Sequence, residues 1–148
     1  GVSVNVGVVR GGTRPNVIAE HAYAEVDLRV PTIADAEELV LRILTLKSRT
    51  AGVIVEVTGE LNRPPYEKGN AGAALFEHAR TLAADLGFDL VDTFTGGGSD
   101  GNFTAPMTAT LDGLGVDGQG AHTHYEQMYV SSIEPRARLL HRLFQTLR

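Results

Sequence analysis

The feature that most constrains this chain is a pair of runs in which apolar and polar residues alternate. Val2, Val4, Val6 and Val8 alternate with Ser3, Asn5 and Gly7. Ala22, Ala24, Val26, Leu28 and Val30 then share one parity, and Tyr23, Glu25, Asp27 and Arg29 share the other. Successive side chains of a strand point to opposite faces, so a period of two fits a half-buried strand and does not fit a helix. Gly11-Gly12-Thr13-Arg14-Pro15-Asn16 interrupts the pattern between the runs. Two strands with a short, turn-rich connection predict an antiparallel pair.

The period then changes. Pro31-Thr32 ends the second run, and Thr32 or Asp35 stands where a helix cap is expected. Ala36, Leu39, Val40, Ile43 and Leu44 recur at helical spacing, with Gly52 as the stop, and Val53, Val55 and Val57 predict a third strand. The resulting ββαβ order is two-thirds of a ferredoxin-like α+β sandwich, lacking one βα unit at its front. A sheet short of a strand has an unpaired edge, which invites pairing with another chain. Asn62-Arg63-Pro64-Pro65-Tyr66 reads as a linker, dividing the chain into residues 1–61 and 62–148.

Beyond the linker the pattern is α/β. Leu75, Phe76, Ala79, Leu82, Ala83 and Leu86 predict a helix stopped by Gly87, and Phe88 to Phe94 predicts a strand. A glycine-rich turn follows from Thr95 to Gly101, then a short helical turn over Asn102 to Ala105 and a short strand over Thr108 to Leu111. Gly113 to Gly120 reads as loop. Leu139, Leu140, Leu143, Phe144 and Leu147 mark a closing helix. Burying each such side chain is worth roughly 1.5–3 kcal/mol, so that helix needs a partner surface.

Composition narrows the function classes. A formal charge of −5 with no basic patch points away from nucleic acid. No segment approaches the roughly 20 apolar residues that span a bilayer, so no membrane partner is expected and a cytoplasmic setting is. The absence of cysteine excludes disulfides, thiol catalysis and cysteine zinc sites. The chain opens on Gly1 and runs at once into a strand pattern, as a piece cut from a longer chain would.

Four features carry possible chemistry. The Gly96–Gly101 turn lies between a strand and a helical turn, where backbone N–H groups can converge on an anion. A plain tight turn is the alternative, since glycine permits positive φ at little cost. Gly97-Gly98-Ser99-Asp100-Gly101 also matches the G-x-S-x-G nucleophile elbow, with Asp112, Asp117, His122 and His124 downstream. Pro106 cuts short the helix that such an elbow needs, and the chain is short for the usual parallel sheet. In Gly120-Ala121-His122-Thr123-His124-Tyr125-Glu126, either histidine could bind zinc, but a catalytic zinc wants three protein ligands and an open position. Arg29 offers a guanidinium fork suited to a carboxylate, unless Asp27 holds it in a solvated pair. Asn16 follows Pro15 in a loop, where a turn residue is the safer reading.

In their order and spacing these features resemble a known family. Gly11-Gly12-Thr13, Asn16-Val17-Ile18 and Asp27-Leu28-Arg29 resemble the lid-domain signature of the zinc-dependent metallopeptidases and amidohydrolases typified by carboxypeptidase G, aminoacylase and succinyl-diaminopimelate desuccinylase. Gly97-Gly98-Ser99-Asp100-Gly101 resembles that family's substrate loop. Leu111-Asp112-Gly113-Leu114-Gly115 with Gly120-Ala121-His122-Thr123 resembles its C-terminal metal-ligand segment. The nearest type is carboxypeptidase G, and Ala19 stands where a proline is usual.

The resemblance implies a partial ferredoxin-like lid that carries a dimer interface, followed by the C-terminal part of an α/β zinc-exopeptidase catalytic domain. It implies two zinc ions in the complete enzyme, with His122 as the metal ligand on this chain. Asn16 and Arg29 are implied as contacts to the reacting carbonyl and the substrate carboxylate, and Gly97, Gly98 and Ser99 as the loop holding the carboxylate end. The substrate would be a small N-acyl amino acid or peptide, and the assembly a homodimer. The general base and the other metal ligands fall N-terminal to Gly1 in the family pattern, so this chain is expected to be inactive alone. A non-catalytic dimerisation and anion-binding module is the alternative reading.

Overall fold

The alternation of the first thirty residues is realised as an antiparallel pair, β1 (Ser3–Gly11) and β2 (Ala22–Arg29). The computed structural model describes residues 1–147. It divides the chain into two units, Gly1–Glu67 and Lys68–Arg148, each with its own packing.

In the first unit the register is regular from Ser3↔Arg29 to Val6↔Val26, and then Val8 rather than Gly7 faces Glu25. Gly7 is therefore the extra residue of a β-bulge. Residues directly opposite across a ladder share a face. Val4 and Val6 lie with Leu28 and Val26, but beyond the bulge Val9 faces Ala24 and Val8 joins Glu25. The expected single face of Val2, Val4, Val6 and Val8 is thus corrected at its last member. Strict alternation cannot announce a bulge, because the inserted residue shifts parity by one.

β1 and β2 form a two-stranded sheet, and residues 53–57 are not a strand. Of the ββαβ order, the first three elements form. Alternating valines specify a strand's faces and leave its partner unspecified, and the ladder hydrogen bonds define the element.

Helix α1 (Ile33–Leu44) begins as expected at Thr32, whose hydroxyl accepts from the Asp35 N–H at 3.1 Å. Thr32 Oγ1 also donates to the Asp35 carboxylate at 2.6 Å, and Glu67 accepts from the Ile33 N–H at 2.8 Å. Two of the helix's free N-terminal amides are satisfied in this way. Thr32→Ala is expected to destabilise α1 by about 1 kcal/mol. Hydrogen exchange at the first-turn amides should accelerate, and unchanged protection there would show that the cap contributes nothing. The helix ends at Leu44 through a Thr45 C-cap, well before Gly52, which takes φ +76 in a later turn.

In the second unit, α2 (Asn70–Asp85) is closed by Gly87 at φ +85. Phe88 N–H donates to Ala83 O and Gly87 N–H to Ala84 O, which is the Schellman pattern that glycine favours. A single turn, α3 (Gly101–Thr104), follows the glycine loop, and α4 (Ile133–Thr146) closes the chain. The core lies where α2 meets α4: Ala79, Ala83, Leu139 and Leu143 are buried. Leu82, Leu86, Phe88, Leu90, Leu111 and Leu114 pack around them. Phe144, expected on the buried face of α4, is 79% exposed.

Neither residues 88–94 nor residues 108–111 are strands, although Phe88 and Leu90 do point alternately into the core. A two-residue ladder appears instead between β3 (Gly118–Gln119) and β4 (Gln127–Met128). Two residues are too few to show any period in the sequence. Among the described residues no helix is long and apolar enough to cross a membrane.

Candidate functional site

Asn16 and Arg29 belong to the first unit, and Gly97, Gly98, Ser99 and His122 to the second. Asn16 is exposed in the β1–β2 connection, where Val17 N–H closes a turn onto Arg14 O at 3.2 Å. Arg29, at the end of β2, donates through Nε to Asp27 Oδ2 at 2.9 Å, with both side chains more than half exposed. On the same face Tyr23 donates to Glu25 at 2.6 Å. Bonding to that carboxylate is the main cause that raises the tyrosine's pKa above its ordinary value.

The glycine loop brings Gly97, Gly98 and Ser99 together before α3. Several of its amides already have acceptors within the chain. Gly97 N–H donates to Thr95 Oγ1 at 3.2 Å, Ser99 N–H to Asn102 Oδ1 at 2.9 Å, and Gly101 N–H to Ser99 Oγ at 2.8 Å. The Ser99 hydroxyl is thereby engaged in a local turn of the kind that serine favours.

His122 sits at the tip of the β3–β4 hairpin. Gly118 has no room for a side chain: a Cβ there would run into the backbone of Gln127. Thr123 N–H and Thr123 Oγ1 both donate to Gly120 O, at 3.0 and 2.6 Å. The hairpin is anchored at its base: Tyr129 N–H donates to Asp117 O at 2.8 Å, and Asp117 N–H donates to Ser132 Oγ at 2.9 Å. Arg136 of α4 donates to the Asp117 carboxylate at 2.7 Å, and its guanidinium lies 5.5 Å from the Phe88 ring centre. Nothing near Asp117 in the sequence points to this arrangement. Its partner is 19 residues away, and no local spacing signals such a pair.

Among the described residues no group of three or more His, Cys, Asp or Glu is placed to hold a metal ion. His122 offers one exposed imidazole. The residues of this chain by themselves do not fit a zinc centre, which needs several such donors converging.

The model of peptidase family M20/M25/M40 matches residues 3–146. The chain belongs to this family. Among M20/M25/M40 relatives, the succinyl-diaminopimelate desuccinylase of Ralstonia nicotianae is 28% identical over 142 residues, covering 94% of this chain. The enzyme of the same name from Ralstonia pickettii is 27% identical over the same length. The chain spans about a third of each of these curated relatives, 36% of their length. No solved structure matches it. The mixture of helices and small sheets described above is compatible with a fragment of an M20/M25/M40 domain.

Proposed function

We propose that this chain supplies the C-terminal, substrate-holding part of a hydrolase that cleaves an amide bond beside a free carboxylate. The observation that carries the proposal is the family match, which runs through both units from residue 3 to residue 146. Relatives matched over most of the chain bear the name of an enzyme that removes a succinyl group from an amino acid. Members of the family are generally metal-dependent, typically using zinc, and act on small acyl amino acids or peptides. In this reading residues 1–61 belong to a ferredoxin-like lid that also dimerises, and residues 62–148 to the catalytic domain. The specificity is of the carboxypeptidase G kind. The general base and the remaining metal ligands come from outside this chain, which is inactive alone.

The role of each residue follows from its chemistry. Arg29 is held by Asp27 in a solvated pair, and such pairs contribute only about 0–1 kcal/mol. A substrate carboxylate that docks in two-pronged fashion on the guanidinium can therefore replace Asp27 at little cost. Asn16 has an amide N–H able to donate to the reacting carbonyl. Gly97, Gly98 and Ser99 bring backbone close to the carboxylate end of the substrate. His122 would offer an imidazole nitrogen to one metal ion, alongside ligands from outside this chain. When bound, that metal would polarise the amide carbonyl and lower the pKa of its water.

The test uses a full-length enzyme that carries this segment, since the chain spans only 36% of the curated relatives. Arg29→Ala should lower kcat/KM about 10- to 100-fold on an N-acyl amino acid. It should leave the slower hydrolysis of the matching carboxamide nearly unchanged. Equal losses on both substrates would remove Arg29 from carboxylate recognition. No hydrolysis of any N-acyl amino acid by that enzyme would remove the proposal itself.

A further inference from the structure

We infer that Glu126 is a positioning residue for His122. The inference rests on the reading of His122 as the side chain this hairpin presents.

Among the described residues, His122 is the only non-glycine with positive φ, at 64°. That region brings Cβ against the backbone of an L-residue, so a histidine stays there only when its surroundings hold it. The structure shows what holds it. His122 N–H donates to Glu126 Oε2 at 3.3 Å, so the carboxylate closes a ring back onto the strained residue. Glu126 N–H donates in turn to Thr123 O at 3.2 Å, and Thr123 is tied twice to Gly120 O. Gly120, at φ +72, leaves the space that the Tyr125 ring occupies: a Cβ there would stand 2.7 Å from Tyr125 Cδ2. The seven-residue loop is therefore a closed unit whose one strained backbone position carries the imidazole. Its base is fixed to α4 through Asp117 and Arg136. The carboxylate bonds to the backbone of His122, so it sets the direction in which the ring leaves the loop and leaves both ring nitrogens available.

The test begins with the chain itself, comparing wild type, Glu126→Ala and Glu126→Gln by NMR. Glu126→Ala should speed hydrogen exchange at the His122 amide about fivefold. It should also move the His122 three-bond HN–Hα coupling toward the value of right-handed backbone. Glu126→Gln keeps an acceptor oxygen and should stay within about twofold of wild type on exchange. Unchanged exchange and coupling in Glu126→Ala would overturn the inference, as would equal losses in both variants. The second arm reads zinc affinity in a full-length enzyme that carries this segment. There Glu126→Ala should weaken affinity about 10-fold or more, with Glu126→Gln restoring it. If His122→Ala leaves that affinity intact, the metal reading of His122 fails, while the NMR arm still decides the role of Glu126.

Discussion

Leu139→Ala is expected to destabilise the second unit by about 2–5 kcal/mol, the range for a large-to-small change at a buried site. Leu139 is 0% exposed and stands among Ala79, Ala83 and Leu143 at the meeting of α2 and α4. The facing residues on α2 are alanines and have no longer side chain to swing into the void. Collapse would have to come from the partly buried ring of Leu82, Leu86, Phe88 and Leu90, or from movement of the helices themselves. A domain commonly has only about 5–15 kcal/mol in total, so this one change removes a large share. Urea unfolding followed by circular dichroism gives the loss, and hydrogen exchange at α2 and α4 amides localises it. Phe144→Ala is the control. It removes a larger side chain from the same helix, but one that is 79% exposed, and should cost no more than about 0.5 kcal/mol. Equal losses in the two variants would mean that the α2–α4 contact is not where this unit is held together.

His122→Ala should have the largest effect on function. If His122 is the metal ligand proposed above, its loss in a full-length enzyme that carries this segment should weaken zinc binding about 100-fold or more, since loss of a supporting partner costs 10–100-fold. Hydrolysis should fall with it. His122→Gly makes the experiment sharper, because it separates the backbone from the ring. Glycine accepts φ 64° freely, so this variant should gain up to about 1 kcal/mol of stability while losing zinc as the alanine variant does. Full zinc content in either variant, measured on the purified enzyme, would remove His122 from the metal site.

What the sequence made legible divides along a physical line. Features set by neighbours in the chain were readable: the alternation of β1 and β2, the Thr32 cap, and the stop of α2 at Gly87. Each depends on backbone geometry within a few residues. Features set by distant partners were not. Val53, Val55 and Val57 alternate as well as β1 does, yet residues 53–57 form no ladder. Asp117 has no chemistry until Arg136 reaches it from α4. At the candidate site the residue types were visible and their surroundings were hidden. The internal acceptors of the glycine loop and the left-handed backbone of His122 come from the structure alone, whereas the solvated Arg29–Asp27 pair was already open to the spacing of two in one strand. Glu126 lies within a run that stood out for its histidines, but a residue four positions away in a loop has no fixed direction.

The inserted residue in β1 acts as a spatial frameshift. With regular pairing carried on past Val6↔Val26, Val9 would stand beside Tyr23 and Arg10 beside Ala22, which would put a guanidinium on the apolar side of the ribbon. Because Gly7 is left out of the ladder, Arg10 instead faces Tyr23, and Val9 takes the place next to Ala24. Drawing that one glycine into the ladder would turn the far half of the strand over, exchanging its polar and apolar sides, whereas deleting it would leave the pairs from Val8↔Glu25 to Gly11↔Ala22 as they are.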